Sequence, residues 1–174
     1  MEIQTQTETD PLRKILAWGV HLFTATGAVW GLLSILAIQQ HEWKLSFIWI
    51  TIAIVVDGVD GWLARRANVH EYAPEIDGAL MDNIIDYLNY VIVPALFIYE
   101  AGLVPSAFML FSPSLLILSS AYQFSQINAK TEDHYFKGFP SYWNVAAIYL
   151  FILGFNLWIN LAILTFLSLM VFVP

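Results

Sequence analysis

Cysteine is absent from this chain, and charged residues are scarce, at 12% of 174 residues. The first absence excludes disulfides and thiolate chemistry. Soluble domains average about 25% charged residues, so the second argues against a soluble domain. What fills the composition instead is apolar, since 59% of the residues are hydrophobic. This balance predicts a single all-α, polytopic membrane domain over residues 1–174, with the bilayer as its solvent.

Histidine is also sparse. The four histidines are scattered and form no His-x-x-x-His pair, which argues against a zinc site. No nucleic-acid partner is predicted. Residues 1–10 are polar and are predicted to be a flexible tail. Asp10 and Pro11 then provide an N-cap and a proline suited to the first helical position.

The apolar runs predict a bundle of six transmembrane helices separated by polar links. The predicted spans are approximately 15–38, 45–64, 78–99, 105–127, 141–156 and 157–173. With six spans, Lys44 lies on one side of the membrane and the other basic residues on the opposite side. Basic residues favour the cytoplasmic side, which predicts a cytoplasmic N-terminus and cytoplasmic links 65–77 and 128–139. The basic residues of the cytoplasmic side are Arg13, Lys14, Arg65, Arg66, Lys130 and Lys137.

Four aspartates interrupt two apolar segments: Asp57, Asp60, Asp82 and Asp86. An ionisable side chain inside the membrane costs about 2.5–3.5 kcal/mol on insertion scales, so such residues indicate a functional site. Helical periodicity places Asp57 and Asp60 on one face of the second span, and Asp82 and Asp86 on one face of the antiparallel third. Asp57 and Asp86 then both lie about 12 Å inside the same boundary, so the two pairs face each other. Carboxylate ligands favour Mg²⁺ or Mn²⁺, while a proton or cation path is the alternative interpretation.

The spacing of these aspartates carries a family resemblance. Asp57-x-x-Asp60-Gly61-x-x-Ala64-Arg65, followed by Gly78-x-x-x-Asp82-x-x-x-Asp86, resembles the signature of the CDP-alcohol phosphatidyltransferases. The residues between Arg65 and Gly78 form a longer link than in most of that family, and are similar to those of its bacterial phosphatidylcholine synthase branch. Pro74 and the run 136–144 also resemble that branch. Its members are usually longer than this chain by about two spans, which leaves open whether the chain is a short homologue or a fragment that lacks C-terminal helices.

The resemblance implies transfer of the phosphatidyl group from CDP-diacylglycerol to choline, giving phosphatidylcholine and CMP. Two divalent metal ions, either Mn²⁺ or Mg²⁺, would be bound by Asp57, Asp60, Asp82 and Asp86. Asp86 would also be the general base. The implied location is the inner membrane of a bacterium, with membrane lipid as a partner; a homodimer is left open. The residues implied to bind the CDP-lipid are Gly61, Ala64, Arg65, Gly78 and Lys137.

Choline would need a site for its quaternary ammonium, and aromatic cages bind such groups. The candidates are chosen for nearness to the third span or the cytoplasmic boundary, among 27 aromatic residues (7 Trp, 8 Tyr and 12 Phe). They are Tyr87, Asn89, Tyr90, Tyr122 and Trp143. Three alternatives remain: a sibling transferase using inositol, serine or glycerol phosphate, a cation or proton transporter, and a catalytically silent lipid-binding scaffold.

Overall fold

The computed structural model describes residues 10–126 and 138–173. Over these residues the chain is helical and has no strand, which confirms the predicted all-α class. Seven helices follow in order: α1 (Pro11–Gln39), α2 (Trp43–Arg66), α3 (Val69–Tyr72), α4 (Gly78–Glu100), α5 (Ser106–Phe124), α6 (Trp143–Leu153) and α7 (Leu157–Met170).

Helix length separates the bundle into two groups. Helices α1, α2, α4 and α5 are long and apolar enough to cross a membrane. Helices α6 and α7 are apolar but have only 11 and 14 residues. At 1.5 Å per residue they extend about 17 and 21 Å, against a hydrocarbon core of about 30 Å. Where six spans were predicted, the described residues form four helices of spanning length and two shorter ones.

Two aspartates begin the helices that carry the site. Asp10 Oδ1 accepts a hydrogen bond of 3.0 Å from Leu12 N, so the predicted start of α1 is confirmed. Asp77 Oδ1 likewise accepts from Leu80 N at 3.0 Å and caps α4. An aspartate in this position satisfies a backbone N–H that has no partner within the helix.

The link between α2 and α4 contains a helix that the sequence analysis did not predict. Helix α3 is a single turn, whose Val69 packs with Ala73 against Ala17 and Val20 of α1. This small apolar cluster is separate from the main core. It therefore holds the link against the first helix.

Polar contacts fasten the same link to the start of α1. Arg13 Nη1 donates to the Tyr72 hydroxyl at 3.0 Å, and Lys14 Nζ lies 3.1 Å from Glu75 Oε1. Hydrogen bonds from its own backbone N–H and from Lys14 lower the pKa of Glu75. A carboxyl with a lowered pKa keeps this contact above its unfolded-state pKa and loses it as pH falls through the lowered value.

Helix α4 widens in its middle. Its first part, Gly78–Asp86, is α-helical, and Tyr87–Ile92 form a π-helical segment. Pro94 lies two residues after this segment. It has no N–H to donate to the carbonyl four residues earlier. Segments of this kind are often found at functional sites.

The main core is built around the second half of α4. Phe97 is completely buried, and its ring centroid lies 5.4 Å from Trp43, 5.0 Å from Phe47 and 5.3 Å from Phe151. These contacts join α2, α4 and α6. The outward faces of the helices carry large apolar side chains, as a lipid-facing surface requires.

Small residues bring α1 close to α4. A Cβ atom added to Gly27 would lie 2.6 Å from Ile85 Cγ2, and one added to Gly31 would lie 2.5 Å from Asn89 Oδ1. The Asn89 amide donates to the Gly27 carbonyl at 3.1 Å. Such contacts between small residues are typical of helix packing in membranes.

Candidate active site

Three aspartates from two helices meet at one point. Asp57 of α2 and Asp82 and Asp86 of α4 each offer a carboxylate oxygen, and these oxygens all lie within 4.8 Å of one another. The three residues are half-buried. The antiparallel geometry inferred from the sequence therefore brings carboxylates from both helices together.

Asp60 lies beside this group but has its own partners. It is 7% exposed and accepts hydrogen bonds from the Thr24 side chain and from the Gly61 backbone N–H. With Asp57, Asp82 and Asp86 it lines a single narrow crevice. All four predicted aspartates thus face one space, with Asp60 held in place from α1.

The π-helical segment contributes a phenol to the cluster. Tyr90 donates its hydroxyl proton to Asp57 Oδ2 over 2.6 Å, the short distance of a hydrogen bond to a charged acceptor. The Tyr90 ring also lies 5.6 Å from the ring of Tyr142, at an interplanar angle of 48°. Tyr90 therefore connects Asp57 to an aromatic pair whose second ring is that of Tyr142.

A larger cavity of about 650 Å³ opens beside the cluster and reaches the link helix α3. This volume lies within the range usual for small-molecule and cofactor sites. Asp60 and Asp82 form its inner wall, and His70 and Glu71 of α3 contribute to its outer wall. Four residues predicted to bind the CDP-lipid line it: Gly61, Ala64, Arg65 and Gly78. Lys137 lies outside the described residues.

The two predicted glycines differ in what surrounds them. A Cβ atom on Gly78 would lie 3.1 Å from His21 Cε1, so this glycine lets α1 and α4 approach. A Cβ atom on Gly61 would meet only Arg65 Nη1, at 3.5 Å. Packing therefore accounts for Gly78, whereas at Gly61 the space that the glycine leaves is open to the cavity.

The remaining residues predicted to bind choline lie in other surroundings. The Tyr87 hydroxyl donates to the Ile117 carbonyl at 3.0 Å, which directs it towards α5. Tyr122 is exposed and packs against Phe172. Trp143 is completely buried and donates its indole N–H to Ser120 Oγ at 2.7 Å. Asn89 lies at the edge of the aspartate crevice, where it bonds to α1.

Three residues at the site were missed by the sequence analysis. Thr24 bonds to Asp60, His21 lines the cavity, and Tyr142 packs on Tyr90. A signal for two of them was present in α1, where His21, Thr24, Gly27 and Gly31 recur at helical spacing and are all buried. Tyr142 precedes α6 and is brought to the site only by the tertiary fold.

The donor set fits a hard divalent cation. The three grouped side chains offer only oxygen, which suits Mg²⁺ or Mn²⁺ better than Zn²⁺. Ligand oxygens on opposite sides of a Mg²⁺ ion are about 4.2 Å apart, given bond lengths near 2.1 Å. The 4.8 Å limit on the carboxylate separations is close to that span. Asp57, Asp82 and Asp86 could therefore hold such an ion with small side-chain movements.

The sequence model of the CDP-alcohol phosphatidyltransferase family matches residues 19–173. The chain belongs to the CDP-alcohol phosphatidyltransferase family. The match includes both helices that carry the aspartates and the whole cavity wall between His21 and Asp82. No solved structure gives a significant match.

Curated members of the family are similar over most of this chain. A phosphatidylcholine synthase of Pseudomonas aeruginosa is 43% identical over 152 residues, which are 87% of this chain and 64% of that protein. One of Legionella pneumophila is 42% identical over 159 residues, 91% of this chain and 62% of that protein. One of Legionella bozemanae is 46% identical over 145 residues, which are 83% of this chain and 67% of that protein. The chain thus spans under two thirds of the length of the first two relatives.

Proposed function

We propose that this chain forms the catalytic core of a phosphatidylcholine synthase, which transfers the phosphatidyl group of CDP-diacylglycerol to choline. The observation that carries the proposal is the meeting of three carboxylates from α2 and α4 beside a cavity of about 650 Å³, whose wall includes Asp82. The similarity to phosphatidylcholine synthases supports choline as the acceptor.

The cavity and the aspartate cluster would bind different parts of the substrate. The nucleotide would occupy the cavity, with Gly61 and Ala64 giving its backbone wall and Arg65 offering a guanidinium to phosphate oxygens. The diphosphate would reach the aspartates. Two Mg²⁺ or Mn²⁺ ions bound by Asp57, Asp60, Asp82 and Asp86 would neutralise it and stabilise both the attacking and the leaving oxygen.

Asp86 would then act as the general base. Its carboxylate takes the proton of the choline hydroxyl, and the oxygen forms a bond to the phosphorus that carries diacylglycerol. The bond from that phosphorus to the oxygen of the CMP phosphate breaks, so phosphatidylcholine and CMP result. Asp57 is held by Tyr90 during this step, and Asp60 by Thr24.

The acceptor would lie against the aromatic pair next to the cluster. Tyr90 bonds to Asp57 and packs against Tyr142, and a quaternary ammonium is attracted to aromatic ring faces. Among the aromatic residues predicted from the sequence, Tyr90 has the strongest structural support. Tyr87, Tyr122 and Trp143 bond or pack elsewhere, so the pair replaces them in this proposal.

We further propose that the chain lies in the inner membrane of a bacterium with the cavity open to the cytoplasm. Arg13 and Lys14 begin α1, and Arg65 and Arg66 end α2. Contacts from Arg13 and Lys14 to the link put these basic residues at one end of the bundle. Basic residues at one end favour the cytoplasmic side. In this arrangement α6 and α7 would complete six spans.

The test is CMP release by the purified chain in detergent or vesicles containing CDP-diacylglycerol and Mn²⁺ or Mg²⁺. Choline is added in one arm and omitted, or replaced by inositol, serine or glycerol phosphate, in the others. Release that depends on choline is the expected result. Release only with another alcohol would show that this alcohol, and not choline, is the acceptor. No release with any alcohol, together with cation flux through vesicles, would favour a transporter.

A further inference from the structure

One buried side chain at the cavity has a polar atom without a partner. His21 of α1 is 5% exposed and lines the cavity. Within residues 10–126 and 138–173, its Nε2 atom is buried and has no hydrogen-bond partner. Its ring lies edge-on to Trp18, at a centroid distance of 6.4 Å. His21 thus borders a ligand-sized space, and one of its ring nitrogens is unused.

An unpaired buried polar group of this kind is unfavourable, by about 1–3 kcal/mol. Native proteins leave few such groups, so each one calls for an explanation. A ligand in the cavity would provide one once the ring turns to present Nε2, because an imidazole nitrogen can donate or accept a hydrogen bond. Trp18 packs edge-on to the ring of His21, and Gly78 on the other helix has no side chain.

The position of His21 along the helices narrows the choice of ligand group. Its ring meets the backbone at Gly78, where any Cβ atom would lie 3.1 Å from His21 Cε1. Gly78 precedes Asp82 by one helical turn, or about 6 Å. Arg65 and the link helix α3 line the same outer part of the cavity. His21 therefore lies about one turn from the carboxylates that would hold the diphosphate, on the side where the nucleoside would lie.

We propose that His21 hydrogen-bonds the nucleoside part of the cytidine nucleotide and so contributes to nucleotide recognition. The inference rests on the proposed function, because it takes the occupant of the cavity to be a cytidine nucleotide. The ribose hydroxyls and the cytosine edge both offer partners for an imidazole nitrogen. CDP-diacylglycerol and free CMP share this group, so both would contact His21.

The proposal predicts an unusual combination of effects for His21→Phe. The phenyl ring keeps a planar side chain in the space but removes both nitrogens. Because Nε2 has no partner among the described residues, the melting temperature should stay unchanged or rise. The affinity for CMP should nevertheless fall about 5- to 30-fold, the equivalent of losing one hydrogen bond of about 1–2 kcal/mol.

The experiment measures binding of CMP and of inorganic pyrophosphate to purified protein with Mg²⁺ or Mn²⁺ present. His21→Phe should weaken CMP binding and leave pyrophosphate binding unchanged, because pyrophosphate lacks the nucleoside. His21→Asn, which keeps a donor and an acceptor, should restore part of the affinity if the phenyl variant folds poorly. His41→Asn, in the exposed turn between α1 and α2, is the control and should bind like the parent. The KM for CDP-diacylglycerol should rise as the affinity for CMP falls. The KM for choline should stay constant.

Three results would overturn the inference, and one of them also removes its premise. Equal CMP affinity in the parent and His21→Phe would dismiss the role of His21 while leaving the transferase intact. An equal loss of CMP and pyrophosphate affinity would assign His21 to the phosphates or to folding. Failure of the parent itself to bind CMP would reject both the nucleotide site and the proposed function.

Discussion

The Tyr90 hydroxyl donates a 2.6 Å hydrogen bond to Asp57 Oδ2, joining the π-helical segment of α4 to the aspartate of α2. Removing only this hydroxyl, as in Tyr90→Phe, keeps the ring face but leaves Asp57 without its donor. We expect kcat to fall about 10- to 150-fold, since a hydrogen bond to a charged group contributes about 1.5–3 kcal/mol. The KM for choline should change little. A raised choline KM with unchanged kcat would show that the hydroxyl serves the acceptor and does not position Asp57.

Tyr142 allows the aromatic wall to be tested separately from the aspartates. Tyr142→Leu removes a ring that lies 5.6 Å from that of Tyr90. The KM for choline should rise about 3- to 30-fold, because a cation–π contact contributes about 0.5–2 kcal/mol. Tyr142→Phe keeps the ring and is the matched control. Equal effects of the two substitutions would contradict a role for the ring face.

Asp86 is the proposed base, and its amide variant separates chemistry from binding. Asp86→Asn should lower CMP release by at least about 10²-fold, the usual contribution of general base catalysis. Binding of CDP-diacylglycerol should remain detectable. Asp77→Asn is the control on the same helix, because Asp77 caps α4 and lines neither the crevice nor the cavity. Near-normal turnover of Asp86→Asn would rule out the base assignment.

Gly61 distinguishes a requirement of the ligand from one of packing. In Gly61→Ala the added Cβ atom meets only Arg65 Nη1, at 3.5 Å. The melting temperature should therefore stay the same or rise, because alanine favours a helix by about 1 kcal/mol over glycine. Nucleotide affinity should still fall, because the methyl group enters the cavity.

Gly58→Ala is the matched control on α2, where a Cβ atom would meet nothing within 4 Å and the residue does not line the cavity. It should likewise keep or raise the melting temperature, and it should leave CMP affinity unaffected. If Gly61→Ala bound CMP as tightly as Gly58→Ala, the nucleotide could not lie against this part of α2.

The glycines of α1 predict a difference in stability. Gly27→Ala would put a Cβ atom 2.6 Å from Ile85 Cγ2, between α1 and α4. Overpacking of this kind costs about 1–3 kcal/mol. Gly19→Ala is the control on the same helix, because nothing lies within 4 Å of its added Cβ atom. Thermal unfolding in detergent should show a lower melting temperature for Gly27→Ala alone, and equal temperatures would contradict the close contact.

The part of the site that could be predicted from the sequence depends on local spacing. Asp57, Asp82 and Asp86 lie on regular helix, and their separations along the chain fix the faces they share. Two helices joined by a short link then bring the carboxylates together, as the structure shows. The starts of α1 and α4 could be predicted for the same reason, since a cap is a contact between near neighbours.

The parts that could not be predicted depend on contacts between distant residues. Helix α3 forms where Val69 and Ala73 pack against Ala17 and Val20, which are more than forty residues away in sequence. Trp143 lies near the predicted boundary, yet the fold buries it completely against Ser120. Proximity in sequence to a membrane boundary does not determine which aromatic rings face a cavity. The length of α6 and α7 likewise follows from the loop between them, and not from hydropathy alone.

The π-helical segment of α4 has a consequence for how sequences of this family encode the acceptor site. A π segment inserts one residue into a regular helix and rotates everything on one side of it relative to the other. Deleting a single residue between Asp86 and Pro94 would allow an ordinary α-helix there. Every signature residue would survive, but the side chain that reaches Asp57 would no longer be that of Tyr90. A homologue with this deletion would keep the metal site and the nucleotide cavity while losing one face of the wall against which choline is proposed to bind.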